Sequence, residues 1–270
     1  MDLPLLALAF TLSPWSERQK AEAWAAFQAG VTLPHRVRHE LDRLGGLLPR
    51  LRAEAAQRGA RLMLPGDAGV DPLLTPLPYP VALWVRGSLP PDSQHGKPIV
   101  AIVGSRQASF AGLERTRSWA RELTAGGLAV LSGLARGIDG AAHEGALQAG
   151  ATWGVLGSGL DHPYPAEHGG LMDRMVAAGG GVLTPFPPEA PPLPANFPRR
   201  NVLLAAWSHG VLVVEAKLRS GSLVTAKLAL DHGKELFAVP GSEGTDALLA
   251  EGAAHRCESV EGLIEQLPGW

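Results

Sequence analysis

The sequence predicts an α/β protein in which a doubly wound, largely parallel sheet follows a small helical region. Three observations predict it. The 270-residue chain is 46% hydrophobic and only 19% charged, enough apolar material for a sizeable core. Beyond about residue 96 it alternates apolar runs of strand length with stretches whose apolar spacing suits helices. Its 33 glycines and 23 prolines fall mainly where such segments meet, which marks turns rather than disorder.

Taken in order, the run Met1 to Phe10 has no basic leader and its one Ala-x-Ala spacing lies inside the apolar stretch. It therefore predicts a first core helix, not a signal peptide. Trp15, Trp24 and Phe27 continue at helix-compatible spacings, with breaks expected at Pro14, Gly30, Pro34 and Gly45-Gly46, so residues 1–60 form a small helical domain. Arg61 to Leu64 and Val81 to Val85 are short apolar runs between Pro and Gly, read as strands or extended connections. Strands are then expected at Ile99–Val103, Leu128–Leu131, Thr152–Leu156, Gly181–Thr184, Val211–Val214 and Leu236–Val239. Helices are expected over Leu113–Thr124, Ala141–Gln148, Leu171–Ala178 and Leu223–His232, with another starting near Pro198 after a surface loop from Pro185. Strand and helix in alternation imply parallel crossovers, hence the doubly wound sheet over residues 61–270.

Lys plus Arg total 24 against 26 Asp plus Glu, a formal charge of −2. That excludes a protein that coats nucleic acid by bulk charge, and leaves room for a local basic groove. The single cysteine, Cys257, cannot form an internal disulfide, and no closed Cys/His set suggests zinc. A reducing cytoplasm is the expected compartment. No apolar run approaches the roughly 18 residues of a membrane span.

Ligands of an open parallel sheet bind at the carboxyl ends of its strands, where helix amino termini offer free N–H groups. The predicted strand ends carry Gly104-Ser105-Arg106, then Ser132-Gly133-Leu134-Ala135-Arg136-Gly137, Gly157-Ser158-Gly159 and Lys217-Leu218-Arg219-Ser220-Gly221-Ser222. Arg199-Arg200-Asn201 opens a further helix. Glycine admits a ligand to the backbone, Ser donates a hydroxyl and Arg offers a charge-assisted fork to phosphate. Any one such loop also reads as a tight turn; together they read as a phosphate cradle. Gly154, Gly157 and Gly159 do not keep the Gly-x-Gly-x-x-Gly order and no P-loop is present, so neither NAD nor ATP chemistry is expected. Asp139 and His143, four apart, could orient an imidazole, but Asp139 reads first as a helix cap. Asp161, His162 and His168 are interrupted by Pro163, and no metal is expected. Glu215 reads as a partner for nearby backbone ahead of a ribose ligand or an acid.

In order and spacing these motifs resemble the DNA-processing protein A (DprA/Smf) family. The resemblance rests on Ile102 to Arg106, Ser132 to Asp139, Val155 to Asp161 with Tyr164-Pro165, Phe197 to Asn201, Val213 to Ala216, Ser220 to Ala226, Ala238 to Gly241 and Glu251 to Ala253. It covers about residues 61 to 256; residues 1–60 resemble the family's small SAM-like helical domain more loosely. It implies an extended Rossmann-like, mostly parallel sheet that binds single-stranded DNA, forms a homodimer and helps load the RecA recombinase on incoming strands in natural transformation. It implies no catalysis and no cofactor. The implied DNA-facing residues are Gly104, Ser105, Arg106, Ser132, Gly133, Arg136, Gly137, Gly157, Ser158, Gly159, Arg199, Arg200, Asn201, Ser220, Gly221 and Ser222.

The sequence departs from the family in four places. The family's Arg-Asn-Arg is Arg200-Asn201-Val202, a lost cation unless Arg199 substitutes. Ala166 stands where a basic residue often follows Tyr-Pro, and Thr184-Pro185 replaces the usual Ser-Glu. The winged-helix domain that many members carry is not expected within the sequence to Trp270. Phe110, Tyr164 and Phe197 are the candidates for base stacking. A rival reading is a nucleoside-monophosphate hydrolase resembling the lonely-guy phosphoribohydrolases, since Pro240 to Thr245 loosely follows their phosphate loop, with Ser242 where a glycine belongs. A third is an interaction protein whose Gly-rich loops are only turns.

Overall fold

Three helices open the chain: α1 (Leu3–Leu12), α2 (Glu17–Gln28) and α3 (His35–Gln57). The structure is a computed structural model and describes residues 3–13, 15–70, 77, 79–91 and 96–268; the break expected at Pro14 lies outside them. Helix α1 is apolar on every side and buries Leu6 to Phe10, as a helix wrapped by neighbours must. Helix α2 starts at Ser16, which with Gln19 closes a capping box. The break expected at Gly45-Gly46 is not there: α3 runs through both glycines. Its Leu41 and Leu44 stay in the core, and a Cβ on Gly45 would stand 3.3 Å from Leu5 of α1, so the glycine lets the helices approach.

Strands β1 (Arg61–Met63) and β2 (Leu83–Gly87) follow, then β3 (Ile99–Val103), α4 (Phe110–Ala125), β4 (Ala129–Ser132), α5 (Ile138–Ala146) and β5 (Thr152–Val155). A 3₁₀ turn (Ala166–His168) leads to α6 (Gly169–Ala177), β6 (Gly181–Thr184), α7 (Asn196–Trp207), β7 (Gly210–Val213) and α8 (Gly221–Asp231). The last elements are β8 (Glu235–Ala238), α9 (Glu243–Ala250), β9 (His255–Arg256) and α10 (Val260–Ile264). The described strands form one sheet in the order β1-β2-β6-β5-β4-β3-β7-β8-β9. From β6 to β9 every pairing is parallel, while β1 and β2 join antiparallel at the β6 edge. The expected α/β, Rossmann-like, mostly parallel sheet is the fold observed.

Both faces of this sheet are covered, which is why its central strands read as continuous apolar runs. In β3, Ile99, Ala101 and Val103 pack with Leu203, Leu204 and Trp207 of α7 and Ala226 of α8. Val100 and Ile102 pack on the other face with Ala120 and Leu123 of α4 and Ile138 and Ala142 of α5. At roughly 1.5–3 kcal/mol per fully buried large aliphatic side chain, this two-sided burial fixes β3 at the centre of the molecule. The helical start shares its core with the antiparallel edge, through Leu6, Phe10 and Leu44 against Leu62, Leu64 and Trp84.

Candidate nucleic-acid interface

Strands β3 and β7 are neighbours, and the chain leaves them toward opposite ends of the sheet. That is a topological switch point, where a crevice opens outside the carboxyl ends. Here a Cβ on Gly104 would lie 2.6 Å from Ile138, so only glycine fits between β3 and α5. The Ser105 N–H donates to the Glu215 carbonyl at 2.7 Å, and the Glu215 carboxylate accepts from the Ser109 N–H and hydroxyl at 3.0 and 2.9 Å. Ser109 also caps α4 by accepting from the Gly112 N–H. Glu215 thus ties the two walls of the crevice together, the backbone role its sequence position suggested.

The turn after β4 is built differently from a free phosphate loop. Ser132 is fully buried and donates to the Ile102 carbonyl at 2.6 Å. Leu134 has φ +57°, a conformation that costs a non-glycine residue about 1–2 kcal/mol. The N–H groups on either side of it, of Gly133 and Ala135, both donate to Asp139 Oδ2 at 3.1 and 3.4 Å. Asp139 is therefore not the helix cap the sequence suggested. The cap position is Gly137, at φ +74°, where a side chain would strike the Ser105 carbonyl. Nor does Asp139 orient His143, whose Nδ1 donates to Thr152 Oγ1 at 2.9 Å while that hydroxyl donates to the Val130 carbonyl.

Arg200, from the first turns of α7, reaches across this turn. It is 3% exposed; its Nη1 donates to the Val155 carbonyl at 3.0 Å, and its Nε has no partner. A Cβ on Gly133 would stand 1.6 Å from Nη1, so the guanidinium occupies the space that glycine leaves. Burial lowers the Arg200 pKa to about 10, against the pull of Asp139. Burial pushes the Asp139 carboxyl upward, opposed by Arg200, the two turn N–H groups and Arg106.

These elements open into a groove of about 790 Å³. Of the residues singled out in the sequence, Gly104, Ser105, Arg106, Arg136, Arg200, Asn201, Ser220, Gly221 and Ser222 line it, and Gly133 lines a small recess beside it. The amino terminus of α8 faces in, with Ser220 and Ser222 hydroxyls 2.8 Å apart and Asn201 donating to the Gly221 carbonyl at 3.3 Å. Arg106 lies 5.3 Å over the Phe197 ring, and Tyr164 packs on the same ring at 5.6 Å. Arg136 pairs with Glu167 at the rim. Lys217 and Arg219 also line the groove. Both stand in the loop that carries Ser220, but no motif in the sequence marks them as facing a ligand.

The remaining residues lie elsewhere. Ser132, Gly137, Gly157, Ser158, Gly159 and Arg199 are not in the groove lining. A side chain on Gly157 would strike Phe197, and one on Gly159 the Pro187 and Pro188 carbonyls; Ser158 is buried and donates to the His162 carbonyl. Arg199 points to the other side of α7, 5.3 Å over Phe186, in an apolar crevice shared with Val202, Pro185, Phe10 and Tyr79. Val202 therefore takes no cation from the groove, and Arg199 supplies none. Pro240 to Thr245 lies outside the groove as well. Its Gly241 N–H donates to Asp246 and its Ser242 hydroxyl bonds Thr245, so the turn is satisfied internally. Phe110, at the start of α4, is 79% exposed just beyond the Ser109–Glu215 tie.

Fold and groove define a Rossmann-like α/β protein with a crevice at its switch point lined by several cationic side chains. Residues 72–268 match the model of the DNA recombination-mediator protein A family, and the chain belongs to that family. It is 45% identical to protein Smf of Escherichia coli over 214 residues, which are 76% of this chain and 56% of that protein. It is 35% identical to DNA processing protein DprA of Bacillus subtilis over 240 residues, covering 86% of this chain and 80% of the relative. The chain thus spans little more than half of the first relative's length and four-fifths of the second's. The fold is similar to the X-ray structure of DprA from Streptococcus pneumoniae, with a TM-score of 0.76 and 30% identity over 99% of this chain and 93% of that one. A Helicobacter pylori DNA processing protein A structure, described for its single-stranded DNA binding mode, matches with a TM-score of 0.67 and 28% identity over 76% of this chain and 94% of that one. Among the described residues no helix is long and apolar enough to cross a membrane.

Proposed function

We propose that the switch-point groove binds single-stranded DNA through its phosphates. The observation that carries this reading is the convergence of Arg106, Arg136, Arg200, Lys217 and Arg219 with the amino terminus of α8, against one lining carboxylate, Asp139. Cations in a concave wall focus potential that an overall charge of −2 conceals. Tyr164, Phe197 and the exposed Phe110 offer ring faces to bases, so binding tolerates many sequences.

In this reading the protein acts without catalysis and without a cofactor, in the cytoplasm. It holds incoming strands during natural transformation and passes them to the RecA recombinase, as its family membership suggests. It works as a homodimer, for which the exposed Leu230 of α8 offers apolar contact to a second copy. Residues 1–60 serve as the small helical domain and residues 61–270 as the DNA-binding domain.

The test is fluorescence anisotropy with labelled oligo-dT at two salt concentrations. Binding that weakens with salt supports the reading, and no binding at low salt overturns it. Incubation with nucleoside monophosphates checks the rival hydrolase: release of free base would favour it, and none is expected.

A further inference from the structure

We propose that Asp139 is a positioning residue of this groove: its carboxylate stands in for a bound anion, locks the Gly133–Ala135 turn and holds Arg200 ready for phosphate. The inference rests on the reading of the groove as a single-stranded DNA site.

Successive backbone N–H groups around a left-handed residue form a concavity that attracts anions. The turn after β4 has that shape, with Leu134 at φ +57° between Gly133 and Ala135. In many phosphate sites the ligand fills such a concavity. Here a side chain of the same protein fills it, because both N–H groups donate to Asp139 Oδ2. The turn is therefore set before DNA arrives, and its backbone is not what DNA meets.

DNA meets the cation that the locked turn presents. Arg200 sits in the space above Gly133, so the path of the turn decides where the guanidinium lies. One of its nitrogens is committed to Val155, and Nε is buried with no partner. Asp139 and Arg200 attract one another across the turn, and Arg106 adds to the pull on the carboxylate, so the locked turn and the two cations hold one arrangement. His168 faces the same turn from the 3₁₀ side, its Nδ1 2.9 Å from the Leu134 carbonyl, and His143 lies buried one helical turn along α5. Neither touches the two N–H groups that Asp139 holds.

The test compares Asp139→Ala with Asp139→Asn, which keeps an acceptor oxygen at the same place. Oligo-dT anisotropy is read at several salt concentrations, and amide hydrogen exchange of Gly133 and Ala135 is followed without DNA. A folded Asp139→Ala is expected to bind about tenfold or more weakly, with the salt slope flattened by about 0.7, and to lose protection at both amides. Asp139→Asn is expected to restore most of the protection and of the affinity. Unchanged affinity and slope in a folded Asp139→Ala would overturn the proposal, since a residue that only stabilises the fold would lower stability and leave the slope alone. Should Asp139→Ala not fold, the wild type decides: free exchange at both amides overturns the proposal and protection at both supports it. If the wild type binds no oligo-dT, the DNA reading fails, and the amide result still judges the lock.

Discussion

Arg106→Ala and Arg199→Ala make a matched pair. Each exposed arginine lies 5.3 Å over a phenylalanine ring, Arg106 on Phe197 and Arg199 on Phe186, so each substitution removes the same cation–π contact, about 0.5–1 kcal/mol at an exposed site. Their thermal midpoints should fall together, by a few degrees at most. Their binding should not. Arg106 lines the groove and Arg199 the apolar crevice on the other side of α7. If the lining cations Arg106, Arg136, Arg200, Lys217 and Arg219 each neutralise one phosphate, log K falls with log salt at a slope of about −3.5, roughly a hundredfold between 50 and 200 mM. Removing Arg106 should bring the slope to about −2.8 and cost about 1.4 kcal/mol, or tenfold, in affinity. Arg199→Ala should keep both slope and affinity. The assay is anisotropy of labelled oligo-dT across that salt range. Equal slopes for the two variants, or a flattening confined to Arg199→Ala, would refute the assignment of faces to α7.

Other expectations test the scaffold. Gly133→Ala puts a Cβ 1.6 Å from Arg200 Nη1 and should evict the guanidinium, costing about 3 kcal/mol or more in denaturant unfolding together with most of the DNA affinity. Gly46→Ala, mid-helix with nothing within 4 Å of the new methyl, should instead stabilise by about 0.5–1 kcal/mol in the same assay. His143 is buried neutral, and burial lowers its pKa from 6.5 to about 3, with His168 and Arg200 adding to the shift. The unfolded chain therefore binds the proton first: this stability is complete above pH 6.5 and is lost as pH falls toward 3, by up to about 1.4 kcal/mol per unit. Urea unfolding at pH 7, 5.5 and 4.5 should show that decline, and His143→Leu should flatten it. Cys257 is 2% exposed and burial raises its thiol pKa to about 12. Iodoacetamide should label it only as the protein unfolds, read by mass spectrometry; rapid labelling of the native protein would contradict its burial.

The strand pattern was legible because a sheet covered on both faces leaves uninterrupted apolar runs: Ile99–Val103 and Gly181–Thr184 fall where the sequence places them. Helix starts were less legible. Apolar spacing begins α4 at Leu113, whereas the helix begins at Phe110 behind its cap Ser109, a residue that periodicity does not register. The candidate site was half legible for a deeper reason. A glycine in the sequence says that something approaches the backbone without saying what. At Gly157 it is the Phe197 ring, at Gly159 two proline carbonyls, and at Gly133 the Arg200 side chain. Likewise, the serines of the quoted motifs divide between the core, as at Ser132 and Ser158, and the groove, as at Ser105 and Ser220. Adjacent arginines on α7 divide the same way, because one helical step turns a side chain by about 100°.

The division of charge follows from the same geometry. Along the helices, arginines pair with acids close by, as in Arg18–Glu22, Arg43–Glu40, Arg50–Glu54 and Arg117 with Glu114 and Glu144. Exposed pairs of this kind add little stability, but they cancel charge locally. Among the described residues Arg106, Lys217 and Arg219 have no such acid, and all three line the groove. Two carboxylates of the crevice walls are spent within the loops, Glu215 on the Ser109 N–H and hydroxyl and Asp139 on the Gly133 and Ala135 N–H groups. A chain with a formal charge of −2 can thus present a locally cationic wall, because its acids are placed where they neutralise helices and shape loops. Adding a carboxylate inside the groove, for instance by Ser220→Asp at the N-cap of α8, would suit the helix dipole and oppose phosphate at once. It should leave the thermal midpoint unchanged or higher while abolishing oligo-dT binding, and retained binding would mean that the α8 terminus takes no phosphate.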